Sequence, residues 1–169
     1  MIWLAQLLAL AAIALAAPGR CLAADWSLRV DGIGPLRVGM RIQQMNEVLG
    51  EHFSYPPAPD DQACFYLSPS KEPRVGLMVE NGILVRVDVL ERGVRTANGV
   101  QVGDAVAKVR GLYGKRLETE PHAYSPEEKY LTVRSADNRH AVRFETDRGK
   151  VRVIYSGFYK QVQYIEGCQ

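Results

Sequence analysis

The sequence has little cysteine: three in 169 residues, at Cys21, Cys64 and Cys168. It has no CxxC and no HExxH, and its three histidines, His52, His122 and His140, stand far apart. A local zinc motif is therefore missing, because tetrahedral zinc is usually held by ligands at short, fixed spacings. No G-x-S-x-G elbow and no Walker loop occurs, so the familiar acyl-transfer and phosphate-binding signatures are missing too. Excess charge is also missing. Lys and Arg number 21 against 19 Asp and Glu, a formal charge of +2. That balance argues against a nucleic-acid binder, which relies on a marked basic surplus. Nine prolines and 15 glycines are too few for a collagenous or low-complexity chain. What remains, 47% hydrophobic and 24% charged residues, is the composition of a folded globular protein.

The longest apolar run, Ile2 to Ala17, falls short of the roughly 20 residues that span a bilayer as a helix. Small residues follow, ending Cys21-Leu22-Ala23-Ala24, and a polar alternating sequence begins at Asp25. This layout reads as a cleaved secretory signal over residues 1–24, with no transmembrane segment left after cleavage. Arg20 just before Cys21 does not suit a lipid-anchor site. Export leaves two cysteines, Cys64 and Cys168. Either they pair or they stand as two separate buried thiols; an oxidising compartment favours the pair. Such a bridge would close a loop of roughly 100 residues and add on the order of 4 kcal/mol through the unfolded chain.

An internal repeat is the strongest pattern in the chain. At an offset of 64, Leu36–Phe53 lies on Val100–Leu117 without a gap. Gly39 meets Gly103 and Gly50 meets Gly114, with Ile42/Val106, Met45/Val109, Val48/Leu112 and Leu49/Tyr113 between them. The spacing predicts a helix in each copy, bounded by glycines. Strands are expected after each. In the first half they are Cys64–Leu67, Val75–Glu80 and Ile83–Val89, with Asn81-Gly82 as a hairpin turn. In the second half they are Tyr130–Arg134, Ala141–Thr146 and Val151–Phe158. The apolar strand faces align at an offset of 66 but the turn glycines at 67, which suggests a second turn of different length. Trp26–Val30 reads as an opening strand and Gln161–Ile165 as a closing one. Ser54–Gln62 and Glu118–Glu128 read as long polar connections. The expected fold class is α+β: two tandem helix–β–β–β units, residues 25–95 and 96–169, forming an antiparallel sheet or sheets with helices packed on one face.

The segments Val38-Gly39-Met40 to Val48-Leu49-Gly50 and Val102-Gly103-Asp104 to Leu112-Tyr113-Gly114 resemble a bacterial envelope module. It is shared by the SmpA/OmlA (BamE-like) outer-membrane assembly lipoproteins and the tandem-repeat β-lactamase inhibitor protein. Arg41 and Ala105 depart from the capping Thr or Ser usual there. Gly32–Pro35, Thr96–Asp104 and Tyr164–Cys168 are also similar to pieces of uncharacterised exported bacterial proteins. The resemblance implies a periplasmic α+β binding or scaffold module and no reaction.

Candidate binding residues follow from residue chemistry. His122 and Tyr124 lie in the second long connection near Tyr130, and such loop aromatics can form a recognition surface at low entropic cost. Tyr124 could instead fold back over the sheet edge. Lys129–Arg152 carries a local excess of four positive charges, with Arg143 and Arg152 expected on one outward face that could meet an acidic protein or anionic polymer, or merely be the wet side of a sheet. The expected function is that of a non-enzymatic exported module binding another envelope or secreted protein, as an inhibitor or assembly factor. No catalytic residue, metal or cofactor is assigned. The alternative is a small-ligand or polysaccharide binder using Tyr66, Tyr124, Tyr130 and the basic strands.

Overall fold

The computed structural model describes residues 25–168. The expected leader, 1–24, lies outside the described residues. The architecture is mixed α+β with two tandem units, in which a helix is followed by antiparallel strands. Three two-residue strands open the chain: β1 (Leu28–Arg29), β2 (Gly32–Ile33) and β3 (Leu36–Arg37), paired in sequence order as a small sheet. Helix α1 (Ile42–Leu49) leads to β4 (Cys64–Leu67), β5 (Val75–Glu80) and β6 (Ile83–Val89). Helix α2 (Val106–Tyr113) leads to β7 (Glu118–Pro121), β8 (Lys129–Arg134), β9 (His140–Asp147) and β10 (Lys150–Phe158). A single helical turn, α3 (Tyr159–Val162), follows.

The two units share one seven-stranded sheet in the order β4-β5-β6-β10-β9-β8-β7. The last strand of each unit meets the other at the centre, antiparallel, with Val89 opposite Ile154 and Arg86 opposite Gly157. Gly157 is fixed by this seam. A Cβ there would sit 2.3 Å from the Val85 carbonyl oxygen, at a φ of 153° that side chains rarely adopt.

The repeat extends to individual hydrogen bonds. Gly39 N–H donates to Leu84 O, Leu84 N–H to Met40 O, and Ile42 N–H to Gly82 O. In the second unit Gly103 donates to Val151 O, Val151 to Asp104 O, and Val106 to Gly149 O. Each helix start is thus stitched to the hairpin turn of its own unit. The turns are equal in length, contrary to expectation. Asn81-Gly82 has φ of 49° and 76°, and Arg148-Gly149 has 49° and 72°, the paired positive values of a two-residue hairpin turn. The false offset comes from β-bulges. Val85 in β6 and Arg152 in β10 are each skipped in the pairing, at equivalent positions. A bulge shifts every later side chain to the other face. Ile154, expected beside Arg152 on the polar side, therefore packs into the core, while Tyr155 faces away from it.

Two further expectations are corrected. Glu118–Pro121 is not loop but the edge strand β7. All four of its residues are exposed, so no apolar alternation marks it, and its two Glu and one Pro suit an unpaired edge. Gln161–Ile165 is not a strand. The carbonyls of Gln161 and Tyr164 are taken by the Arg86 guanidinium, at 2.8 and 2.9 Å, rather than by a sheet neighbour.

The core lies between the sheet and both helices. Ile42, Met45 and Leu49 of α1, and Val109 and Tyr113 of α2, meet Leu77, Val87, Phe144, Ile154 and their neighbours, with Leu28, Ile33 and Leu36 of the small sheet completing the cluster. Val48 and Leu112, the equivalent positions expected on the apolar stripe, are exposed in both units. The stripe is narrower than the residue pattern suggests.

Candidate functional site

The face of the sheet away from the helices is built from the polar positions of the same strands. In β6, Arg86 Nε and Nη2 donate to the two carboxylate oxygens of Asp88 at 2.6 and 2.8 Å. Arg86 also donates to the Tyr66 hydroxyl at 2.7 Å, and that hydroxyl donates to Asp88 at 2.9 Å. The guanidinium stands 4.6 Å from the centre of the Tyr155 ring. Arg86 is 2% exposed, so its charge is maintained by this enclosure of acceptors. Burial opposes its protonation, but the Asp88 hydrogen bond and charge outweigh that and hold its pKa above the ordinary arginine value. Burial, with Asp88 beside it, pushes the Tyr66 phenol up to about 12. Burial and the Glu145 hydrogen bond push Tyr155 up as well.

The network continues into the second unit. Tyr155 donates to Glu145 at 2.8 Å, and Glu145 lies 3.4 Å from His122 Nε2 and 3.8 Å from Arg152. The His122 ring stacks on Tyr130, 4.6 Å between centres. The Arg143 guanidinium lies 4.1 Å from the centre of the Tyr130 ring. Arg143 donates to Glu120 at 2.8 Å, to Thr132 at 3.2 Å, and to Gln163. One connected set of polar and aromatic side chains therefore crosses from β4 to β7.

The C-terminal segment roofs this face. Besides the Arg86 and Arg143 contacts, Gln161 donates to Glu80 at 2.9 Å. Cys168 is disulfide-bonded to Cys64 at the start of β4, 104 residues away, with Cα atoms 5.3 Å apart.

Against this geometry the expected residues fall into three groups. Tyr66, His122, Tyr130 and Arg143 belong to the network. Arg143, expected on an outward basic face, is only 5% exposed because the tail and β7 enclose it. Arg152 is 65% exposed, since the bulge turns it out at the rim. Tyr124 is 66% exposed and meets only the edge of His122, at 6.2 Å between centres, so it does not fold back over the sheet. Arg86, Asp88, Tyr155 and Glu145 were not expected as site residues. Their signal was present in the alternation Arg86/Asp88 and Arg143/Glu145, charges repeated on one strand face of each unit. At the β9–β10 end of the sheet, Glu128 accepts from the Thr146 hydroxyl and the Arg148 amide, which hold its carboxyl below the usual range. Among the described residues no group of three or more His, Cys, Asp or Glu is placed to hold a metal.

A second feature lies on the helix side. A cleft of about 720 Å³ opens between β1, the end of α2 and the β8–β9 hairpin. Its floor includes Leu28, Tyr113, Val133 and Val142, all buried, and its rim carries Arg29, Arg116, Arg134 and Asp137.

The chain matches no family model and no curated protein. Among solved structures it is similar to an extracellular protein containing an SCP domain from Bacillus anthracis, at TM-score 0.47 and 10% identity, over 75% of this chain and 47% of that one. It is also similar to the uncharacterised protein yfeY from Escherichia coli, at TM-score 0.40 and 14% identity, over 78% of this chain and 99% of that one. This chain thus spans about half the length of the first. Both likenesses are distant and bear on neither partner nor chemistry. Neither likeness is to the BamE-like module, whose resemblance rests on the glycine-bounded segments and the strands that follow them.

Proposed function

We propose that the protein is an exported, non-catalytic binding module that holds a polypeptide partner against the rim of the network face. Residues 1–24 are its leader, and 25–95 and 96–169 are two copies of one ancestral unit. The carrying observation is the ordered stack of His122, Tyr130 and Arg143, with Tyr124 and Arg152 largely exposed beside it. Tyr and Arg are the side chains that most often dominate protein interfaces. A rim whose neighbours are already stacked and hydrogen-bonded loses little entropy on binding. Arg148 and Lys150, both exposed, share this end of the sheet with Arg152. The matching partner surface is therefore acidic, on another envelope or secreted protein. The Cys64–Cys168 bond supports export, because disulfides persist in oxidising compartments.

The test is affinity capture from a periplasmic extract with the native protein and with a Tyr124→Ala/Arg152→Glu variant. A protein retained by the first and lost by the second is the expected result. The same proteins retained by both would refute the rim as the binding surface. No protein captured, together with retention on a glycan array, would favour the polysaccharide reading.

A further inference from the structure

The helix-side cleft belongs to the second unit, and the repeat shows how the first unit differs at the equivalent place. In the first unit the corresponding space lies between the end of α1 and the β4–β5 hairpin. There Lys71 Nζ donates to the Leu49 carbonyl at 2.6 Å, and Ser70 donates to the Glu51 carboxylate from both its amide, at 3.0 Å, and its hydroxyl, at 2.9 Å. The hairpin is laced shut over the helix end. In the second unit the β8–β9 hairpin makes its bonds elsewhere. Ser135 bonds to Asp137 and His140, and the Arg139 carbonyl accepts from Tyr159. Among the described residues no hydrogen bond joins this hairpin to the end of α2. The cleft therefore stays open beside the hairpin, above apolar side chains that show only their edges.

Charge at the mouth selects what can enter. Arg29 faces Asp31 at 3.5 Å, and Arg134 faces Glu118 at 2.8 Å. Asp137 accepts from the Ser135 hydroxyl and the Arg139 amide. Arg116 is exposed, sits 5.8 Å from the centre of the Tyr113 ring, and has no carboxylate partner among the described residues. The rim therefore offers one unused guanidinium above an apolar floor. The volume lies within the roughly 300–1,000 Å³ of small-molecule sites. We infer that this cleft binds an amphipathic anion with a single acyl chain, its apolar body on Leu28, Val133 and Val142 and its anionic head at Arg116. The site is separate from the Tyr124–Arg152 rim and does not depend on it.

The probe is cis-parinaric acid, followed by its fluorescence, with its methyl ester as the uncharged counterpart. The protein is purified after expression with its own leader, so that any processing has taken place. The acid binds one to one, and the ester binds at least about tenfold more weakly. Arg116→Glu weakens the acid by a similar factor and leaves the ester unchanged. Ala136→Trp, an exposed position on the rim, blocks both, and circular dichroism checks that it folds. Asp137→Asn leaves binding unchanged or tightens it, and Tyr124→Ala has no effect. Absence of acid binding overturns the proposal, as does binding indifferent to Ala136→Trp. Equal affinity for acid and ester, with Arg116→Glu silent, overturns the anionic head. Loss of probe binding and loss of protein capture are separate results, so this proposal and the rim proposal fail independently.

Discussion

The two faces of the seven-stranded sheet are made from alternate residues of the same strands, yet they are held by different forces. Toward the helices, Leu77, Val87, Phe144 and Ile154 exclude water without directional bonds. Toward the tail, Arg86, Asp88, Tyr155, Glu145, Tyr130 and Arg143 are just as enclosed or nearly so, but each is bound to named partners. The first kind of face tolerates volume-conserving change. The second tolerates change only when partners change together. A strand can thus build two layers of protein, one from shape and one from matched polarity, provided something covers the second. Here the C-terminal segment is that cover.

The largest effects should come from single truncations on either face. Phe144→Ala is expected to cost about 3–5 kcal/mol in denaturant unfolding, by cavity formation. Arg86→Ala should cost a similar amount, about 3–5 kcal/mol, because it leaves the Asp88 carboxylate buried without its cation. The faces separate in the next variant: Arg86→Met/Asp88→Leu should recover most of that loss, since no unpaired charge remains. If the double substitution is as damaging as Arg86→Ala, the two faces do not differ in the way described.

Removing the cover is expected to cost less. Cys64→Ser/Cys168→Ser should lower stability by about 2–4 kcal/mol through the freed unfolded chain, and should speed amide exchange over residues 159–168 while leaving α1 and α2 protected. Uniform loss of protection would place the bond's role in the whole fold rather than in the roof.

A smaller effect is set by pH. The Tyr66 phenol sits at about 12 in the folded protein, against about 10 when free. A raised value means its contribution is complete below about pH 10 and is lost as pH climbs toward 12. Tyr155 is shifted in the same direction. Stability measured across that window should fall steeply, and less steeply in Tyr66→Phe. An unchanged slope would remove Tyr66 from the network's energetics. Smallest of all, Tyr124→Ala and Arg152→Ala should each change stability by less than about 0.5 kcal/mol, since both side chains are mostly exposed.

Much of the helix face could be read from residue order. Gly39/Gly103 and Gly50/Gly114 bracket two helices, Asn81-Gly82 marks a hairpin, and Val87, Val142 and Phe144 alternate as buried strand residues do. The other face was harder to read for local physical reasons. Strand β7 is exposed on both sides and carries no periodicity. The bulges at Val85 and Arg152 slip the alternation by one residue, which hid the equal turns and reversed Ile154 and Tyr155. The tail looks extended in sequence because Val162, Tyr164 and their neighbours alternate, but its carbonyls are claimed by Arg86 from a distance of 75 residues or more. No window of sequence contains that contact. For the same reason Arg143 looked like a solvated charge. The aromatic candidates Tyr66, His122 and Tyr130 were legible by residue type; their assembly around two arginines was not.

The most direct test of the binding account is hydrogen–deuterium exchange on the protein with its captured partner bound. The account requires added protection at residues 121–125 and 148–153, at the rim of the network face, with α1 and α2 unchanged. Protection concentrated on the exposed sides of the helices, around Val48 and Leu112, with the rim unaltered, would contradict it.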